Sequence, residues 1–334
     1  MRHLGHEKPL AWLASAALAL TLAQPAQAAK YEWNAALNVV EDTMPYIVME
    51  EFKRLLEERS KGDISLTIYP AGQLGGDREM SEGVMTGNID FSATNPPTMV
   101  SLVPRAALFD IHNVFTDVEH ARRTLDGPLF AKIREIFNEK NAYTLGFADL
   151  GPRHLMSNKK VETMADLSGQ KIRVQENKHQ IAYWKSLNAN PTPMDWGEVY
   201  IGLQQGTIDA NEQPYDFIVS AKLFEVQKFL MDTGHQMQFV ILFMNRQLQE
   251  TLPDDVKALV EQAGKDACLY GREQNDIRMV EKKAFLEKHM EFVTLSPDFK
   301  KEMVERSMPA RDSVREAVGD DLYNFFMDCV NKAR

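Results

Sequence analysis

Two arginines are set in apolar, strand-like text: Arg173 in Lys171-Ile172-Arg173-Val174, and Arg153 in the run from Gly151 to Asn158. Strand alternation sends Ile172 and Val174 to one face and Arg173 to the other. A guanidinium keeps its charge and offers a planar fork that matches a carboxylate. Two forks at strand ends facing a cleft would make an organic-anion site; ordinary surface ion pairs are the alternative for both. No nucleophile elbow, zinc-binding His pair, phosphate loop or dinucleotide fingerprint accompanies them. The eight histidines lack ligand spacing, and no Cys/His cluster supports a zinc site. Nothing calls for a metal or a cofactor.

The elements that would position these arginines alternate strand and helix. Tyr31 to Leu37 reads as a strand, and a helix begins at Thr43-Met44-Pro45. Ile64, Leu66 and Ile68 alternate with Ser65, Thr67 and Tyr69 as a half-buried strand. Asp77 is placed to cap a helix reaching Thr86, and Ile89 to Ala93 is a strand. A helix from Pro128 to Glu139 and a strand from Tyr143 to Phe147 follow. A second series has strands at Arg153–Ser157, Lys171–Gln175, Ile208–Ala210 and Gln238–Met244. Its helices are read at His179–Leu187, Gly197–Gln205 and Pro214–Leu230. A long helical pattern runs from Asp254 to Met290, interrupted at Gly264 and Gly271, and helices end the chain. The pattern predicts α/β architecture in two lobes with a cleft between them.

The chain has 334 residues, 44% hydrophobic and 26% charged, which suits two globular units and excludes a disordered chain. A net charge of −10 argues against a nucleic-acid footprint. The start differs from the rest. Arg2 and Lys8 precede the apolar run Leu10 to Ala23, and Ala26 and Ala28 occupy the small positions of an A-x-A site. This reads as a signal peptide (1–28) cut after Ala28, and the mature protein as periplasmic. The two cysteines, Cys268 and Cys329, either bridge the last helix or stay apart as buried thiols.

Leu167-Ser168-Gly169-Gln170-Lys171-Ile172-Arg173-Val174 resembles the L-x-G-x-K-[IL]-R-V text of solute-binding proteins of tripartite ATP-independent periplasmic (TRAP) transporters. Asn188 to Gln205 is similar to that family's G-A-x-P-T-P-M-x-[FWY]-x-E-V-Y-x-A-L-Q, and Ile208 to Pro214 to its V-D-G-Q-E-N-P. Tyr69 to Glu79, Phe224 to Phe229 and Thr233-Gly234-His235 match further family segments in the same order. The resemblance implies a two-lobed periplasmic binding fold, its lobes joined by crossing strands and a long spanning helix. Lobe I would comprise 29–150 plus about 239–278, and lobe II 151–238 plus about 279–334. It implies a monomer without enzymatic activity that captures an organic acid and hands it to a small and a large membrane subunit.

The resemblance also assigns roles residue by residue. Arg173 matches the principal carboxylate-binding arginine, and Arg153 a second one. Gln213 stands where most members have Asn, and Trp196 at the aromatic wall. Asn38 matches a polar contact after the first strand, and Asp77 a carboxylate at a helix start, with a plain N-cap as its other reading. Asn95 stands where the sialic-acid-binding relatives carry Glu. Glu212 and His235 read as structural. His112 and Asn113 depart from the family's D-L-P-[FY]-x-F and stand as candidate extra contacts. The polar inventory favours a uronate or aldonate. A C4-dicarboxylate is the alternative within the family, and a secreted hydrolase of acidic sugars is the alternative of another class.

Overall fold

Ile64, Leu66 and Ile68 do alternate as expected: Ile64 and Leu66 are buried, and the segment pairs in parallel with the strand that opens the described chain. The computed structural model describes residues 29–334; the signal-peptide reading falls on residues 1–28, which lie outside them. Among the described residues nine strands form one sheet: β1 Tyr31–Ala36, β2 Ile64–Tyr69, β3 Phe91–Thr94, β4 Ala142–Ser157, β5 Lys171–Val174, β6 Asn190–Pro193, β7 Ala210–Gln213, β8 Phe229–Asn245 and β9 Glu291–Val293. Their order is β2-β1-β3-β8-β4-β7-β5-β6, with β9 paired to β8.

The two long strands, β4 and β8, run antiparallel through the middle, from Ala142 opposite Asn245 to Ser157 opposite Phe229. The ends of β8 and β4 carry parallel groups on either side: β1, β2 and β3 beyond β8, and β5, β6 and β7 beyond β4. Apolar side chains cover both faces of each group. Val48, Phe52, Leu66 and Leu242 pack on one face of the β1–β3 half, and Ile133, Phe147 and Ile241 on the other. Ile172, Val174 and Trp184 pack on one face of the β5–β7 half, and Met156, Leu203 and Ile218 on the other. The architecture is the expected α/β fold of two lobes sharing two crossing strands. The end of the chain does not stay with the β5–β7 half: Val314, Leu322, Phe326 and Val330 join the core of the β1–β3 half.

Three local outcomes differ from the sequence expectation. The segments 143–147 and 153–157 form a single strand, β4, because Gly151 (φ +83°) absorbs the break as an irregularity in the ladder with β8. The helix expected over 214–230 stops at Ser220, and β8 takes over at Phe229, where pairing with β4 and β9 outweighs helical spacing. The helix Asp254–Leu286 is continuous across Gly264 and Gly271. A Cβ at Gly264 would stand 2.7 Å from Leu145 Cβ, and one at Gly271 2.5 Å from Val48 Cγ2. Both glycines therefore serve the close approach of this helix to β4 and to the helix Met44–Arg59. Cys268 and Cys329 are separate buried thiols in the cores of opposite faces, and burial pushes Cys268 up to about 12. Among the described residues no helix is long and apolar enough to cross a membrane, and no cluster is arranged to hold a metal.

Candidate functional site

Arg173 stands on β5 with Ile172 and Val174 turned into the apolar core beside it. Only 3% of Arg173 is exposed. Its Nε and Nη2 donate to the carbonyl oxygen of Met194 at 3.0 and 2.7 Å, and its guanidinium lies over Trp196, 5.8 Å from the ring centre. Among the described residues no carboxylate pairs with it. Burial first, and then the charge of Arg153, bring its pKa down to about 10, so the cation is retained at neutral pH without a direct counter-ion. Burial of a charge is costly unless it is paired, so this group is poised for an anion.

Arg173 lines a cavity of about 30 Å³ between the two halves of the fold. Asp77, Thr94, Asn95 and Thr98 come from one side, Gln175, Trp196 and Gln213 from the other, with Val39, Leu150 and Phe217 as apolar wall. The halves touch around it. Asn95 Nδ2 donates to Gln175 Oε1 at 3.3 Å, and Asn38 Nδ2 to Asp195 Oδ2 at 3.3 Å. Trp196 meets Phe217 edge-on at 5.1 Å, which fixes the indole as one wall. Asn95 Oδ1 and Gln213 Oε1 are buried and accept no hydrogen bond from the described residues.

Asp77 opens the helix Asp77–Thr86, but the N-cap is Gly76. The carboxyl instead accepts from Thr94 Oγ1 at 2.7 Å and Asn38 Nδ2 at 3.2 Å. It keeps partial access to solvent, yet desolvation, with Asp195 nearby, raises it above the ordinary carboxylate value. Asn38 holds Asp77 and Asp195 together and is outside the cavity lining.

Arg153 is placed differently from Arg173. It is buried at 1% exposure, and its Nη2 donates to Glu212 Oε1 and to the Glu212 carbonyl, both at 2.7 Å. Its Nε binds Glu212 and its Nη1 binds Gln238. His235 Nε2 stands 3.2 Å from the same carboxylate. Burial would raise Glu212, but Arg153 and His235 outweigh it and hold the carboxyl down at about 2. The second fork is thus occupied by a protein carboxylate, and Arg153 is not among the cavity-lining residues. His112 stacks on Tyr183 at 3.7 Å, and the backbone N–H of Asn113 donates to His235 O; neither lines the cavity.

Gln175, Gln238 and Asp195 were not singled out from the sequence. Gln175 carried a usable signal, since it follows Arg173 by two residues and strand alternation points it the same way. Gln238 and Asp195 had none, because their neighbours across the cleft are distant in sequence.

A family profile described as bacterial extracellular solute-binding protein, family 7, matches residues 36–317. The 2,3-diketo-L-gulonate-binding periplasmic protein YiaO of Escherichia coli K12 is 37% identical over 220 residues, 65% of this chain and 67% of its own length. The TRAP periplasmic solute-binding protein of Roseobacter denitrificans solved with bound β-D-glucuronate has a TM-score of 0.85 at 27% identity, covering 90% of this chain and 98% of its own. The sugar acid binding protein of Advenella mimigardefordensis in complex with galactonate superposes at TM-score 0.88 with 22% identity, covering 92% and 100%, a likeness of fold. With the profile spanning most of the chain on this two-lobed frame, the chain belongs to the bacterial extracellular solute-binding proteins of family 7, the solute receptors of TRAP transporters.

Proposed function

We propose that this chain captures a hydroxylated monocarboxylate, a uronate or aldonate, in the cavity between its lobes and delivers it to the small and large membrane subunits of a TRAP transporter. The family consists of periplasmic receptors that bind small organic acids. The observation that carries the ligand class is the asymmetry of the two arginines. Among the described residues Arg173 has no carboxylate partner, while Arg153 is taken by Glu212. That leaves one fork for one ligand carboxylate.

The rest of the wall is rich in acceptors: Asp77, Asn95 Oδ1 and Gln213 Oε1. Ligand hydroxyls satisfy acceptors, whereas each one left unmet in a closed site costs about 1–3 kcal/mol. A second carboxylate has no proton to give them and would face Asp77. Trp196 and Phe217 cover the carbon chain. In this reading Arg173, Asp77, Asn95, Gln213 and Trp196 touch the ligand, while Arg153 and Asn38 position them.

A thermal-shift panel of uronates, aldonates and C4-dicarboxylates on the purified protein tests this. A ligand at a hundredfold excess over its dissociation constant stabilises the native state by about 2.7 kcal/mol. The reading predicts a clear shift with a hydroxylated monocarboxylate; a shift confined to succinate or malate would replace it with the dicarboxylate alternative.

A further inference from the structure

A chain of side-chain amides runs from the cavity wall to a buried carboxylate, and at each link the donor and acceptor atoms are matched. Asn95 Nδ2 donates to Gln175 Oε1 at 3.3 Å, and Gln180 Nε2 donates to that same oxygen at 2.8 Å. Gln180 Nε2 also donates to Asp110 Oδ1 at 3.3 Å, and the backbone N–H of Gln175 donates back to Gln180 Oε1 at 3.1 Å. The remaining acceptor sites of Asp110 take Asn177 Nδ2 at 2.7 Å and Gln236 Nε2 at 3.3 Å. All five amides are buried, and Asp110 is 2% exposed. The end of the chain is Asn95 Oδ1, buried in the cavity wall without a partner among the described residues.

An amide reads equally well in two orientations; an ionised carboxylate does not, because it can only accept. We propose that Asp110 is a positioning residue that helps set the hydrogen-bond polarity of the ligand cavity: its carboxylate, together with the Gln175 backbone N–H on the other amide atom, fixes Gln180, Gln180 fixes the Gln175 side chain, and Gln175 fixes Asn95 with the carbonyl facing the ligand. The consequence for specificity rests on the proposed function. A wall that offers a carbonyl takes a ligand hydroxyl and rejects a ligand carboxylate or ketone at that point.

Protonation of Asp110 would make the carboxyl a donor as well as a weaker acceptor, so that it no longer dictates the amide orientation by itself. Burial pushes the Asp110 carboxyl up to about 7, against the pull of its three amide donors and of Arg153. The other charged and titratable groups near it are His112 two residues on, Glu212 and His235 beside Arg153, His179 on the helix of Gln180, and Arg311, which binds the His112 carbonyl. Burial holds His112, His179 and His235 below the usual imidazole value, while it pushes the Asp110 carboxyl up toward neutrality. The carboxylate form, and with it the fixed polarity, is present above pH 7 and fades below it.

Side-chain amide resonances of the ligand-free protein test the relay directly. The NH₂ signals of Gln180, Gln175 and Asn95 should follow one sigmoid centred near pH 7, lost in Asp110→Asn. Gln180→Leu, which leaves Asp110 with Asn177 and Gln236, should uncouple Asn95 from pH. An Asn95 signal that is flat in the wild type, or that still titrates in Gln180→Leu, overturns the relay whatever the ligand is. The second arm is selectivity between gluconate and glucarate, which differ by a terminal hydroxyl against a carboxylate. The preference for gluconate should fall about tenfold in Asp110→Asn and between pH 8 and pH 6, the equivalent of one hydrogen bond. An unchanged ratio overturns the specificity role. Failure of the wild type to bind either acid counts against the proposed function, while the resonances still decide the relay.

Discussion

At the scale of single residues the molecule treats two similar arginines in opposite ways. Arg173 is a buried cation that donates to the Met194 carbonyl and lies over Trp196; Arg153 is locked to Glu212 and Gln238. Arg173→Ala should therefore abolish ligand binding, a loss of at least 100-fold by calorimetry, with an unchanged circular dichroism spectrum. Arg153→Ala should do the reverse of a purely binding mutation. It strands the Glu212 carboxylate and should cost about 3–5 kcal/mol of stability in urea unfolding. The sign of the acid response follows. Glu212 is held at about 2 against an ordinary 4.5, so its contribution is complete above pH 4.5 and lost as pH falls toward 2. A Glu212→Gln variant should show a flatter loss of stability over that window. Alternation marks Arg173 as a cation set in an apolar strand, and only the family resemblance assigns it to a carboxylate. The engagement of Arg153 was not legible, since Glu212 lies 59 residues away and only strand pairing joins them.

At the scale of elements, period and punctuation located β1, β2 and the helix Met44–Arg59 closely. They failed where tertiary pairing won: β4 passes through Gly151-Pro152, and β8 displaces the end of an expected helix. Gly264 and Gly271 look like helix breakers in sequence and are contact points in space. Replacing Gly271 with Ala raises helix propensity by about 1 kcal/mol. The new methyl would stand 2.5 Å from Val48 Cγ2 and 3.1 Å from Ala148 Cβ. Overpacking of this kind costs about 1–3 kcal/mol, so Gly271→Ala should lower the urea midpoint rather than raise it.

At the scale of the whole molecule, a buried cation that no carboxylate pairs with among the described residues sits where two lobes meet, and the lobes already touch through Asn38–Asp195 and Asn95–Gln175. A ligand that adds its own hydrogen bonds to both sides should favour the closed arrangement, so its addition should reduce the radius of gyration in solution scattering. The order of strand and helix was enough to read two lobes from the sequence. The small closed cavity was not readable, because its lining is drawn from eight separate stretches between Val39 and Gln238. The most direct measurement is calorimetric titration of the wild type and Arg173→Ala with the hydroxylated acid that gives the largest thermal shift. A single saturable site in the wild type and no heat in the variant is the predicted result; equal affinity in both, or tighter binding of succinate than of any sugar acid, would contradict the account.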